Sequence, residues 1–360
     1  MTRLAVDQTA CGRPRGALPH WAALCLLLAA TTATAAPPAA PYKVPHTAFG
    51  APDLGGIWNN GSITTLERPA NIAALVMSEA QAADLERRAV ARNTAGDAQS
   101  DPNAPPPPVG GNVGGYNQAW WDQGTRVGRV RGEPRSSWII EPADGKIPYT
   151  SAGRADEKKQ FTAVRGSYDN PEQRAPAERC LLGYGSTAGP PMLNVGYNNN
   201  YQIMQSKDEV VILVEMSHDA RIVRLNTKQH LPPTVRPWMG DSIGWWEGDT
   251  LVVETTNFNP EEGLRVSDAL TYLISTDAKV TERFTRVSAD QILYEFKVDD
   301  PKTFTQTWRA EIPLRAAKGP IYEYACHEGN YALEGILAGA RQDEKSGRKT
   351  ASAASVGLGE

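Results

Sequence analysis

From about Tyr197 onward the hydrophobic pattern is that of successive strands. In Ile292–Val298, Ile292, Tyr294, Phe296 and Val298 fall on one face and Leu293, Glu295 and Lys297 on the other. That is the alternation of a half-buried strand. Tyr201–Gln205 is also strand-like. Val210–Val214 is a continuous β-branched run, which predicts a strand covered on both sides. Arg221–Leu225 follows a turn at Ser217–Ala220. Ile243–Trp246 and Thr250–Thr256, joined by Glu247-Gly248-Asp249, predict a hairpin. Val280–Val287 and Ile292–Val298 predict another, and Thr303–Pro313 and Ile321–Ala325 two further strands. Seven or eight successive strands without helices between them predict a mainly β fold. Its expected form is an antiparallel meander closed as a lipocalin-like barrel, with a β-sandwich as the alternative. Leu333, Ile336, Leu337 and Ala340 recur at helical spacing and predict a short terminal helix against that sheet.

The preceding half is less regular. Ser78-Glu79-Ala80-Gln81 is a capping-box pattern and predicts a helix to about Arg92. Its apolar stripe, Ala82, Leu85 and Ala89, is thin, as on a surface helix. Residues 94–115 hold Pro105–Pro108 and five glycines and read as a flexible loop. Ser136–Pro142 reads as a short strand, Ala143–Lys146 as a turn, and the polar stretch 151–178 as a surface excursion. The expected organisation is a signal segment at 1–35, a Pro/Ala-rich leader at 36–52 and an N-terminal wrap at 53–178. The β core with its helix follows at 179–341, and a disordered tail at 342–360.

Composition changes this picture in three places. The chain has 32 Gly and 27 Pro in 360 residues, which favours turns over long helices. A net charge of −4 supplies no electrostatic reason to bind nucleic acid or an anionic membrane. Arg3, Arg13 and Arg15 precede an apolar run from Trp21 to Ala30, and small residues end at Ala33-Thr34-Ala35-Ala36. This is the order of a secretory signal peptide, with cleavage expected after Ala35 and a periplasmic or secreted product. The run is too short for a permanent span, so no stable membrane insertion is expected once it is removed. Cleavage would take the charge to −6 and leave Cys180 and Cys326, a pair that reads as a disulfide in an oxidising compartment.

Several words occur together: Pro52-Asp53-Leu54-Gly55-Gly56-Ile57-Trp58, Trp138-Ile139-Ile140-Glu141-Pro142, Trp246-Glu247-Gly248-Asp249-Thr250-Leu251-Val252-Val253-Glu254-Thr255, and Tyr324-Ala325-Cys326-His327-Glu328-Gly329-Asn330-Tyr331. Together they resemble a family of exported bacterial proteins that has no established activity to carry over. Separately, Gly56-Ile57-Trp58 resembles the glycine-any-tryptophan start of lipocalins.

No strong catalytic pattern is present. Gly183–Gly189 is glycine-rich, but it lacks the spacing of a nucleophile elbow and the lysine of a P-loop. No CxxC pair, HExxH helix or EF-hand loop occurs, so neither a metal nor a cofactor is expected. His46 lies in the leader and His230 precedes two prolines, so both are expected to be exposed. His218 at a strand end and His327 beside Cys326 are the acid–base candidates, with Glu254 or Glu328 to orient them and Arg221 to hold an anionic group. The bland alternative is that both histidines bond neighbouring backbone. Glu254, inside an apolar run, needs a partner such as Arg221, Arg283 or Arg309. Trp245, Trp246, Trp308, Tyr294 and Tyr324 are the candidate aromatic lining of a ligand site, with plain core packing as the alternative. The expected function is a barrel that handles a small apolar, aromatic or saccharide ligand, with or without lyase- or hydrolase-type chemistry. A structural envelope protein is the remaining alternative.

Overall fold

The computed structural model describes residues 42–97, 103, 105, 121–166, 168–183, 187, 189–267 and 270–347. The expected signal segment, the leader up to residue 41, most of the 94–115 loop and the tail from 348 lie outside the described residues. The elements in chain order begin with β1 (Gly56–Asn59), α1 (Glu79–Gly96), β2 (Arg129–Val130), β3 (Glu133–Pro134), β4 (Ile139–Glu141) and α2 (Ser151–Gly166). Then come β5 (Asn200–Gln205), β6 (Glu209–Val214), β7 (Ala220–Arg224), β8 (Asp241–Glu247), β9 (Thr250–Thr256), β10 (Leu264–Ser267) and β11 (Leu270–Leu273). The chain continues through β12 (Lys279–Arg286), β13 (Gln291–Asp299), β14 (Trp308–Ala316) and α3 (Tyr331–Lys345).

Nine strands close into a lipocalin-like barrel in the order β1-β5-β6-β7-β8-β9-β12-β13-β14, with β14 returning to β1 through Trp58↔Ala316 and Asn59↔Arg315. β4 is laid against the outer part of β14. The expected hairpins are present. β8 and β9 turn at Gly248, whose φ of 58° lies in the left-handed region that glycine enters freely. The meander is not wholly antiparallel, however. β7 and β8 run parallel, Val223 opposite Ser242, because residues 225–240 are long enough to carry the chain back across the end of the sheet. A separate ribbon, β10–β11, interrupts the path from β9 to β12.

Other expectations are corrected by packing. The 151–178 stretch contains α2, whose first turn is capped by the Thr150 hydroxyl accepting from the Gly153 N–H. Its Glu157 accepts from Thr271 and ties the helix to β11. α1 has both halves of the capping box and runs beyond Arg92 into the expected loop. The N-terminal wrap supplies β1 and β4 to the sheet. The last strand starts at Trp308, not Thr303, because Thr303 closes a turn onto the Asp300 carbonyl. Ile321–Ala325 forms no strand, and Tyr322 stands 72% exposed. α3 extends to Lys345, buries Ala340 alone and is fastened by Arg341 to the Asp169 carbonyl at 2.7 Å rather than laid along the sheet.

Period-two alternation directs Val280, Glu282 and Phe284 of β12, and Tyr294, Phe296 and Val298 of β13, into the barrel. Phe284 and Tyr294 rings lie 4.9 Å apart, and Phe296 meets Trp308 edge to face at 5.4 Å. Each such ring contributes roughly 1.5–3 kcal/mol by burial. The chain's own segment 189–195 fills one end. Met192 and Leu193 are fully buried there. The Met192 N–H donates to the Tyr294 hydroxyl at 2.9 Å, and Asn194 is held between the Trp138 indole and the Ser62 carbonyl.

Candidate functional site

The disulfide corner gathers the largest group of sequence-predicted residues. Cys180 and Cys326 are bridged, joining a stretch of turns after Arg174 to the segment that precedes α3. Successive turns follow the bridge: Glu328 N–H to Ala325 carbonyl, Asn330 N–H to His327 carbonyl, and Tyr331 N–H to Gly329 carbonyl. The Asn330 amide donates to the Glu178 carbonyl at 3.2 Å and to Cys180 Sγ at 3.4 Å, which locks the two segments together. Beside the bridge opens a cleft of about 500 Å³, walled by Tyr197, Tyr324, Asn198 and Asn330, with Glu178, Glu323 and Glu328. Tyr197 is steadied by Trp121 in a T-shaped contact at 6.3 Å. Glu178 is paired with Arg174 at 2.9 Å.

His218 lies beneath this corner but does not present a free imidazole. Ser217 and His218 both adopt positive φ, 61° and 53°, which turns the ring toward the 322–324 segment. With the proton assigned to Nε2, that nitrogen donates to the Tyr322 carbonyl at 3.0 Å and Nδ1 accepts from the Tyr324 N–H at 3.2 Å. This is the backbone-bonding alternative. His327 stands exposed in the turn after the bridge. No hydrogen bond joins the two histidines among the described residues.

The remaining candidates are distributed over three other environments. Arg221 and Tyr294 lie inside the barrel. Arg221 pairs with Glu282 through three contacts of 2.8–3.1 Å, and Tyr294 donates to Glu282 at 2.8 Å. Burial and the Glu282 charge push the Tyr294 phenol well above its ordinary value, so it stays a donor. The anion that Arg221 holds is therefore the protein's own carboxylate. Trp308 belongs to the core, and Trp246 packs against it. Trp245 is on the outer face, its indole N–H donating to Glu247.

Glu254 also faces outward, and none of the arginines expected for it is its partner. Its oxygens lie 3.3 Å from both His230 Nε2 and Lys279 Nζ. Arg283 goes instead to Glu247, and Arg309 to Glu141 and Glu295. His230 is not the exposed residue its prolines suggest. Its other nitrogen meets Asp241 at 2.8 Å, and Asp241 also takes Arg224 and the Leu231 N–H. Burial works to raise the Asp241 carboxyl, but the Leu231 N–H, His230 and Arg224 overcome it and hold it below the usual range.

A further cluster carries no signal of its own in the sequence. Asp219, next to His218, accepts the Gly183 N–H at 2.7 Å, and burial pushes its carboxyl up to about 6. Burial also pushes Glu262 up to about 7, although Arg265 draws it down. Arg265 on β10 is fully buried, with Nη1 donating to the Gly189 carbonyl at 3.2 Å. Its Nε and Nη2 have no acceptor among the described residues. Leaving buried donors unpaired costs about 1–3 kcal/mol, and more for a charged group. In Leu264-Arg265-Val266 the alternation suggests an arginine facing water. The ribbon is inverted because α2 covers it from outside, which turns Arg265 toward the barrel.

No protein-family profile matches the chain, and neither a curated protein nor a solved structure shows significant similarity to it.

Proposed function

We propose that this is an exported, disulfide-braced β-barrel protein of the kind its sequence words resemble, and that it binds a small saccharide-type compound in the cleft beside Cys180–Cys326. The observation that carries this reading is the make-up of the cleft. Tyr197 and Tyr324 line it with aromatic surface of the sort that packs on the C–H face of a sugar, while Glu178, Glu323, Glu328, Asn198 and Asn330 line it with polar residues of the kind that meet hydroxyl groups. The barrel interior is less suited to a ligand, because Met192 and the Arg221–Glu282–Tyr294 group occupy it. The signal-peptide pattern and the disulfide both fit an oxidising compartment. Binding is favoured over catalysis because the His218 ring is taken up by backbone groups.

The test is calorimetric titration of the purified chain with a panel of neutral mono- and disaccharides, repeated with Tyr324→Ala. At least one sugar should bind, at least tenfold more weakly to the variant. Silence across the panel, or an affinity indifferent to Tyr324, would overturn the proposal.

A further inference from the structure

Among the described residues four arginines besides Arg265 are deeply buried, and each of them has a carboxylate or two carbonyls. Arg221 has Glu282, Arg135 has Glu133 and Glu311, and Arg174 has Glu178 and the Val164 carbonyl. Arg68 has the carbonyls of Ala73 and Ala143. Arg265 is the most buried of the five, yet it has one carbonyl and no carboxylate within ion-pair distance among the described residues. Its two unpaired nitrogens, Nε and Nη2, are not scattered. They share one edge of the planar guanidinium, the edge that donates two parallel hydrogen bonds to a pair of oxygens. The Nη1 bond to Gly189 fixes the rotation of that plane, and the Phe258 ring lies 5.7 Å from Cζ.

We infer that Arg265 is the receptor of a small oxyanion, gripped side-on by Nε and Nη2 behind the β10–β11 ribbon. Glu262 is the carboxyl group that feels the Arg265 charge, Asp219 lies near Glu262, and burial drives both carboxyls toward the neutral form. In that form they leave the guanidinium charge uncompensated and do not repel an incoming anion. The inference is independent of the cleft at the disulfide. It needs no group on Tyr324 or Glu328.

The experiment is a thermal-shift titration of the full chain with acetate and, separately, with inorganic phosphate, against chloride at equal ionic strength. The comparison variant is Arg265→Lys, which keeps the charge and loses the two-nitrogen edge. The wild type should show a saturable rise in Tm with at least one oxyanion and none with chloride. The half-saturating concentration should be at least tenfold higher in the variant. Response to acetate alone assigns a carboxylate, to phosphate alone a phosphate group, and to both the shared oxyanion chemistry. Should Arg265→Lys not fold, the ¹⁵N resonance of the buried Arg265 Nε–H in the wild type supplies the second reading, and it must shift saturably with the same anion. A wild type that responds to neither anion, a response equal to that with chloride, or an unmoved Nε–H would assign the edge to water and overturn the inference.

Discussion

Arg221 and Glu282 meet inside the barrel from strands that are not neighbours, β7 and β12, with both side chains at most 2% exposed. The pair therefore braces the ring across its interior. Removing one partner leaves a buried charge alone, which costs about 3–5 kcal/mol. Arg221→Met should lower the urea midpoint by a corresponding amount. The double variant Arg221→Met/Glu282→Leu should recover much of that loss. A single variant as stable as the wild type would contradict the brace.

Glu262 should make stability fall with rising pH. Its folded carboxyl is raised to about 7 from an ordinary 4.5, so the folded state holds more protons than the unfolded state between those values. Stability then decreases as pH climbs from about 4 to 7, and the cost is fully present above 7. Glu262→Gln removes the charge and should stabilise the protein at pH 8 by roughly 1–3 kcal/mol, with little effect at pH 4. Urea curves at the two pH values check the sign.

Asp241 works in the opposite direction. Its folded carboxyl is held below 3.8, so its contribution is present above the unfolded value and disappears as pH falls through the folded one. Asp241→Asn should destabilise at pH 7 by about 1–3 kcal/mol, the cost of losing charged hydrogen bonds to Arg224 and His230. Hydrogen exchange should quicken at Leu231, whose N–H bonds this carboxylate.

The Cys180–Cys326 bridge spans 146 residues of sequence. In the chain-entropy account a loop of that length contributes roughly 4–5 kcal/mol. Reduction, or the paired change Cys180→Ser/Cys326→Ser, should lower the urea midpoint accordingly. The cleft should loosen with it, so proteolysis should appear first between residues 320 and 331. An unchanged cleavage pattern would show that the non-covalent contacts, His218 to the 322–324 backbone and Asn330 to the Glu178 carbonyl, hold that segment without the bridge.

β13 was legible because one face is buried, and burial on one face writes itself as period two. β6 was legible as a continuous apolar run, although the structure buries Val210, Ile212 and Val214 and leaves Val211 and Leu213 only half-buried rather than covering both faces. Closure into a barrel was expected from the run of strands, but the strand that completes the ring was not: β1 is four residues long, and no alternation can be recognised over so short a span. The parallel pairing of β7 and β8 lies in the geometry of the 225–240 crossing, which has no periodic signature. At the cleft, Cys326 stood out as half of a cysteine pair, Glu328 by its place beside His327, and Tyr324 as one of many aromatic residues. Tyr197, Asn198 and Glu178 come from irregular chain, where nothing in the spacing marks a side chain as converging. Arg265 was hidden by a rule that usually holds, that the charged position in an alternating strand faces water. Here a helix covers the other face.

The pairing of Trp58 with Ala316 has a consequence in time. The strand made earliest must wait for the strand made latest before the ring can close, so the defining contact of the barrel is also among its most distant in sequence. Folding that depends on such remote contacts is slow, and until closure the growing chain carries two unpaired sheet edges. A polypeptide ending before β14 would keep both edges permanently and seek its missing neighbour in other molecules.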